Sequence, residues 1–274
     1  MINRGDYMEK KRADVLLFER GLAESREKAK TLIMEGIVFT GDRRIDKPGE
    51  KVEVNIPIIV KKDPIIYVSR GGLKLEKAID SFNIDVKNKI CMDIGASTGG
   101  FTDCMLKEGA KKVYAIDVGY GQLDWKIRND PKVIVMERTN IRYVTKEDID
   151  DIIDFISIDV SFISLELVLP VAKTFLSDNG KIMALIKPQF EAGRERVGKK
   201  GIVRDKNTHI DVLKNMLKFC NEEGLALADL DFSPITGGTG NIEFLAYISK
   251  ANGFTGIDYE KIVETVNDAH KSLT

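Results

Sequence analysis

Histidine, tryptophan and cysteine are all scarce in this chain, with two, one and three residues among 274. The two histidines, His209 and His270, stand isolated on stretches that read as helices, and no ligand cluster surrounds either, so no metal is expected. Cys91, Cys104 and Cys220 are odd in number and widely spaced, which fits neither a disulfide framework nor a CxxC metal clip; a reducing cytoplasm is the expected setting. Long apolar runs are missing as well. Stretches such as "LVLPVA" fall far short of the roughly 20 residues that span a bilayer, and Met1 to Arg12 is polar and charged where a secretory leader would be apolar. A soluble protein with no membrane partner is the expectation. The single tryptophan, Trp125 in "QLDWKIR", is expected to pack into the interior.

What the chain does contain is apolar material, 43% of its residues, enough for one large core and a second small one. Net charge is −1 but unevenly placed: residues 1–77 carry 17 Lys and Arg against 13 Asp and Glu, and the remainder carries 25 against 30. The basic end is the front. There "RADVLLFER" (12–20) and "SREKAKTLIME" (25–35) read as two short helices. Val15, Leu16 and Leu22 flank one apolar face, and Ala29, Leu32 and Ile33 make another, with Ser25 as cap and Gly36 as stop. The runs "IVFTGDRRID" and "KVEVNI" add extended structure. A small α+β domain over residues 1–62 is expected, with Arg12, Arg26, Lys30, Arg43 and Arg44 on its surface. Residues 63–83, including "KKDPIIYVSRGG", read as a linker and the first helix of a second domain over 84–274.

From Lys89 the pattern becomes α/β. "ICMDIG", "KVYAIDV", "KVIVME", "IDFISIDV", "KIMALIK", "LALADLDF" and "IEFLAYI" predict a seven-stranded, doubly wound, Rossmann-like sheet, with the segments between the first six long enough for helical crossovers. The early strands are almost continuously apolar, as parallel strands covered on both faces must be.

"DIGASTGGFTD" (93–103) is a turn built for close approach to a ligand. A phosphate loop needs GxxxxGK followed by Ser or Thr, and here Phe101 follows Gly99 and Gly100, so that reading fails. A dinucleotide turn wants GxGxxG, and the second glycine is missing from its place. S-adenosylmethionine is the alternative: its amino-acid end and ribose lie over such a turn, and an acidic residue ending the second strand takes the ribose hydroxyls. Asp117 stands 22 residues after Gly95 at that strand's end, a spacing shared with NAD enzymes. Asp159 and Lys187 end the fourth and fifth strands, at the carboxyl edge where ligands bind in this architecture. Glu243 begins the seventh and reaches the same edge if that strand runs antiparallel. Lys74 lies on the helix entering the second domain, where an ordinary solvated face would explain it equally.

The stretches "SRGGLKL", "DIGASTGGFTD", "IDVSFIS", "KPQFEAGRERVGKKGIVRD" and "GNIEF" together resemble the TlyA family of ribosomal RNA 2′-O-methyltransferases, sometimes labelled hemolysins. The catalytic domain of that family is similar to the FtsJ heat-shock methyltransferase, and the front module resembles the alpha-L RNA-binding motif. The resemblance implies a Lys-Asp-Lys-Glu catalytic set at Lys74, Asp159, Lys187 and Glu243. It implies S-adenosylmethionine held by Asp93, Gly95, Thr98, Gly99, Phe101, Asp117, Asn140 and Asp159; Thr98 and Asn140 serve equally well as turn residues. Ribosomal RNA or ribosomal subunits are the implied partners, with cytidine the implied nucleotide.

Arg12, Arg26, Lys30, Arg43, Arg44 and Arg70 would then meet phosphates, joined by Arg194, Arg196, Lys199, Lys200 and Arg204 from a loop, 191–205, read as a mobile flap. A lysine with a pKa near 10.4 needs a depression of roughly 3 units, about 4 kcal/mol, to act as a base near neutral pH. A cofactor charge about 6 Å away would supply roughly 3 kcal/mol. Asp159 and Glu243 act in the opposite sense, so Lys187 is the expected proton acceptor with the other three orienting it. Competing readings are a non-catalytic RNA-binding assembly factor, a membrane-lytic protein, and a pseudouridine synthase sharing only the front module.

Overall fold

The computed structural model describes residues 9–34, 36–41, 43–60, 67–251 and 256–273. The chain divides into two compact units, Met1–Ile66 and Tyr67–Thr274. The "KKDPII" part of the expected linker, 61–66, lies outside the described residues.

In the first unit β1 (Lys10–Arg12) leads into α1 (Ala13–Glu19), followed by α2 (Arg26–Met34), β2 (Val38–Thr40), β3 (Arg43–Arg44), β4 (Lys51–Glu53) and β5 (Ile59–Val60). Ser25 caps α2, its hydroxyl accepting from Lys28 N at 3.1 Å, and Gly36 closes it with φ +70°. The apolar face of α1 differs from the expected one. Leu16 and Leu17 bury, joining Ala29, Ile33, Val38, Ile45 and Val52, while Leu22 is exposed. The reason is that Leu22 lies beyond the helix, past Gly21 at φ +67°, so it follows no helical register. The two extended runs also break up: β1 pairs antiparallel with β4, and β2 lies between β3 and β5. Asp14 is a buried carboxylate at the start of α1, accepting from Arg12 at 2.9 and 3.0 Å and from Arg26 at 3.3 Å. These guanidiniums, Arg12 first, hold its carboxyl below the usual aspartate range against the pull of burial.

The second unit opens with α3 (Gly71–Phe82), then β6 (Ile90–Ile94), α4 (Gly100–Lys107), β7 (Lys112–Ile116), α5 (Trp125–Arg128), β8 (Val133–Met136) and β9 (Ile153–Ile158). It continues with α6 (Leu169–Phe175), β10 (Leu176–Ile186), α7 (Pro188–Glu191), α8 (Lys206–Glu222), β11 (Leu225–Phe232), β12 (Phe244–Lys250) and α9 (Tyr259–Leu273). The seven strands form one sheet in the order β11-β12-β10-β9-β6-β7-β8, and β12 alone among them runs antiparallel to its neighbours.

Alternate residues of each strand feed opposite cores. Met92, Ile156 and Ile182 face α6, α8 and α9, whereas Cys91, Phe155 and Met183 face α3 and α4. The β8 to β9 crossover departs from the helical expectation, holding only a 3-10 turn at Ile141–Tyr143. Asn140 and Asp148 accept from the backbone N–H groups of Arg142 and Thr145, and these local bonds displace helical ones.

The histidines prove not to be isolated. His209 on α8 and His270 on α9 share a hydrogen bond, Nδ1 to Nε2, of 2.9 Å. Among the described residues no group of three or more His, Cys, Asp or Glu side chains could hold a metal ion, and no helix is long and apolar enough to cross a membrane.

Candidate active site

Four strands deliver residues to one edge of the sheet. Gly95 follows β6, Asp117 follows β7, Asp159 follows β9 and Lys187 follows β10. Because β12 is antiparallel, its first residues lie at this same edge and bring Glu243 with them. Lys74 arrives from α3, whose entry needs small residues. A Cβ on Gly72 would overlap the ring of Tyr67, and one on Gly100 would come within 2.9 Å of Gly72 N, so the starts of α3 and α4 meet backbone to backbone.

The four charged side chains expected to converge do so. Lys74 Nζ lies 2.6 Å from Glu243 Oε2 and 3.7 Å from Asp159 Oδ2, and Lys187 Nζ lies 2.5 Å from Asp159 Oδ1. Lys187 also donates to Ser161 Oγ at 3.0 Å. Lys74, Lys187 and Glu243 are buried. Burial alone pushes the Lys74 ammonium down, but the Asp159 and Glu243 carboxylates outweigh it and hold the group above the ordinary lysine value. Burial likewise pushes Asp159 up, and Lys74 and Lys187 bring it below the usual range.

A cavity of about 720 Å³ opens against this quartet and shares Asp159 with it. Gly95, Ser97, Asp117, Asn140, Arg142 and Ser161 contribute its polar lining; Ile116, Val118, Ile141 and Leu167 contribute an apolar side. Gly95 sits at φ +87°, and a Cβ there would collide with the Asp159 carbonyl oxygen, so the turn and the Asp159 strand end are packed as closely as backbone permits. The Asp117 carboxylate is held by the N–H groups of Ser97, at 2.8 Å, and Gly119, at 2.6 Å. Each of its oxygens keeps acceptor capacity for a diol. An acidic diol acceptor, a glycine turn and an apolar slot in one cavity fit a nucleoside-bearing ligand such as S-adenosylmethionine. Asp117 would take its ribose hydroxyls, Gly95 would allow its close approach, and Ile116, Asn140 and Ile141 would flank its base.

Four residues expected at the cofactor do not line this cavity. Asp93 is fully buried beneath it, accepting from Thr102 Oγ1 at 2.6 Å and Ser157 Oγ at 3.2 Å. Gly99 begins α4 with φ +92° against Leu123, and Thr98 is exposed, its carbonyl accepting from Asp124 N at 3.1 Å. Phe101 is 4% exposed and packs with Tyr67, Leu75 and Met105, because α4 turns that face into the core; its ring is not a cofactor contact. Residues that went unassigned from sequence are Ser97, Arg142, Ser161 and Phe162. The last two lie within "IDVSFIS", whose aspartate alone drew attention.

Trp125, expected inside, is 77% exposed: α5 is one turn long and spends its inward position on Ile127. It joins Tyr120, Tyr143 and Phe162 as exposed aromatics on loops at the carboxyl edge. Arg138 lies over Tyr120 at 4.1 Å and Arg142 over Tyr143 at 5.5 Å.

The expected RNA-binding cations of the first unit are all ion-paired: Arg12 and Arg26 with Asp14, Lys30 with Glu27, Arg43 with Glu50 and Arg44 with Asp46. Arg70 precedes α3 and is half-buried. In the 191–205 loop Arg196 pairs with Asp211 at 2.8 Å. Arg194, Lys199, Lys200 and Arg204 are exposed without an ion pair among the described residues. The loop is tied near its end, where Asn241 accepts from Val203 N at 2.9 Å and donates to Gly201 O at 2.8 Å.

The second unit matches the FtsJ-like methyltransferase family over residues 67–250, and the first matches the S4 domain over 11–55. YqxC of Bacillus subtilis, provisionally named an rRNA methyltransferase, is 58% identical over 268 residues, 96% of this chain and 95% of that protein. The 16S/23S rRNA (cytidine-2′-O)-methyltransferase TlyA of Mycobacterium tuberculosis is 41% identical over 238 residues, 86% of this chain and 89% of that one. A solved structure from Streptococcus thermophilus, provisionally described as a hemolysin, matches with a TM-score of 0.77 at 50% identity over 97% of both chains. Since the likeness runs through both units rather than through the widespread sheet alone, the chain belongs to the TlyA family, in which an S4 domain accompanies an FtsJ-like methyltransferase domain.

Proposed function

We propose that the protein transfers a methyl group from S-adenosylmethionine to a ribose 2′-hydroxyl of ribosomal RNA, on a cytidine, with Lys187 accepting the hydroxyl proton. The observation that carries this reading is the meeting of Lys74, Asp159, Lys187 and Glu243 beside the Asp117 cavity. The cofactor supplies an electrophilic methyl group on a positively charged sulfur, so the protein's own work is alignment and disposal of one proton.

Charge balance favours Lys187 for that proton. Two ammonium and two carboxylate groups make the quartet electroneutral; with a sulfonium bound the site holds one positive charge too many, and loss of a lysine proton removes it. Lys74 is gripped by two carboxylates, whereas Lys187 has one carboxylate and one hydroxyl, so Lys187 gives up its proton more easily. Asp159 and Glu243 fix the lysines in place. The exposed aromatics and arginines at the carboxyl edge suit unpaired bases, which stack on rings and guanidinium planes. The S4 unit and the 191–205 loop would hold flanking phosphates, and ribosomal RNA as substrate places the protein in the cytoplasm.

Single-turnover transfer of labelled methyl to total ribosomal RNA, with the modified nucleotide mapped, tests the reading. Lys187→Ala is expected to slow transfer by about 10² to 10⁴, the usual worth of a positioned base, while cofactor binding persists. Full activity in Lys187→Arg would end the acceptor role. A label mapped to a base atom would end the 2′-O assignment, and one on a uridine or purine ribose the cytidine assignment.

A further inference from the structure

We infer that Ser161 is a positioning residue for methyl transfer, which orients the Lys187 amine so that its free direction faces the target 2′-hydroxyl. The inference rests on the reading of Lys187 as proton acceptor. An amine nitrogen has three directions besides its own carbon. Asp159 Oδ1, at 2.5 Å, accepts one N–H, and Ser161 Oγ, at 3.0 Å, accepts a second. In the neutral amine these are both N–H bonds, so the lone pair occupies the third direction. The 2′-hydroxyl then loses its proton to that lone pair as the C–O bond forms and the C–S bond breaks, with the C–S electron pair staying on sulfur. Without Ser161 the amine can rotate about its carbon and present an N–H to the hydroxyl as readily as the lone pair.

Three features indicate that the fold holds Ser161 deliberately. Lys187 is its sole side-chain hydrogen-bond partner among the described residues. The next residue, Phe162, adopts φ +64°, a left-handed conformation that a bulky non-glycine residue takes only when its surroundings impose it, and its ring stands 92% exposed. The surroundings that impose it include Glu191, which accepts from Ser164 Oγ at 2.7 Å and from Leu165 N at 2.9 Å. Glu191 closes α7, and Lys187 is the residue that precedes the same short helix. One bracket of five residues thus carries the amine at one end and the clamp on the serine's loop at the other, which sets the distance between Nζ and Oγ.

The test compares full-length Ser161→Ala, Ser161→Thr and Lys187→Ala with the unaltered protein in single-turnover methylation of ribosomal RNA from pH 6 to 9.5, with cofactor affinity measured by calorimetry. Ser161→Ala is expected to slow the maximal rate ten- to a hundredfold with cofactor and RNA affinities within twofold. It should also move the acid limb of the pH–rate profile to lower pH, because an oxygen that accepts from the ammonium has been removed. Ser161→Thr, which keeps the hydroxyl, should recover the rate to within threefold. A Ser161→Ala protein as fast as the unaltered one, or one whose loss comes wholly from weaker cofactor binding, overturns the inference. If Lys187→Ala is inactive in that case, the acceptor reading survives alone; if Lys187→Ala is also fast, both fall.

Discussion

Asp93 is a carboxyl group with no cation to meet it. Burial pushes it up to about 7 from an ordinary 3.8, and only two hydroxyls, those of Thr102 and Ser157, stand against its oxygens. Between those two pH values the unfolded chain releases a proton that the folded chain retains, so folded stability falls as pH rises through the window and stays lowered above it. The loss is on the order of 4 kcal/mol. Asp93→Asn lacks the proton to lose, and both hydroxyls can turn to suit an amide. Thermal melts should show it above the unaltered protein at pH 8 and level with it near pH 4; parallel melting curves at all pH values would refute this. At this scale Asp159, Lys187 and Glu243 were legible because a strand end fixes where its next side chain points. Phe101 and Trp125 were not, since only packing decides which way a residue on a one- or two-turn helix faces. Ser161 had no legible role either: a serine after a strand is ordinary until Lys187 is seen beside it.

α9 is fastened to α8 by two imidazoles that both resist protonation. Burial, then the nearness of His270, pushes His209 down to about 4, and burial with Lys206 lowers His270, while Asp205 pulls both in the opposite sense. His209 Nε2 is buried without a partner, and its ring edge meets Phe244. As pH falls from about 6.5 towards 4, an undocked or unfolded helix takes up protons that the docked one refuses, so docking weakens in that window. Amide exchange in α9 should accelerate from pH 7.5 to pH 5, after correction for the intrinsic rate, more than in β6 or β9. His209→Leu should remove the difference; an equal difference in that variant would put its cause elsewhere. The strands of the large sheet were readable because runs of four to eight apolar residues announce them. In the S4 unit the two- and three-residue strands carry no period, and their breaks appear only in the pairing.

Across the whole molecule, positive charge is offered to RNA in two forms. In the S4 unit each expected phosphate contact already has an acidic partner, so a phosphate must share or displace a carboxylate such as Glu50 or Asp46. In the 191–205 loop Lys199 and Lys200 have no such competitor among the described residues. Reversing Lys199 and Lys200 to Glu should therefore cost more RNA affinity than reversing Arg43 and Arg44, and should flatten the dependence of log K on log salt by about two contacts. Filter binding between 50 and 200 mM salt measures both; a larger loss from the Arg43 and Arg44 pair would invert the ranking. The place of β12 carries a last consequence. It is the final strand made, yet it threads between β10 and β11 rather than joining an edge, and Glu243 rides in at its head. A nascent polypeptide, or one truncated before residue 243, has a slot in its sheet and three members of a four-member set. Synthesis order by itself thus keeps the enzyme silent beside its own future substrate until the slot is filled.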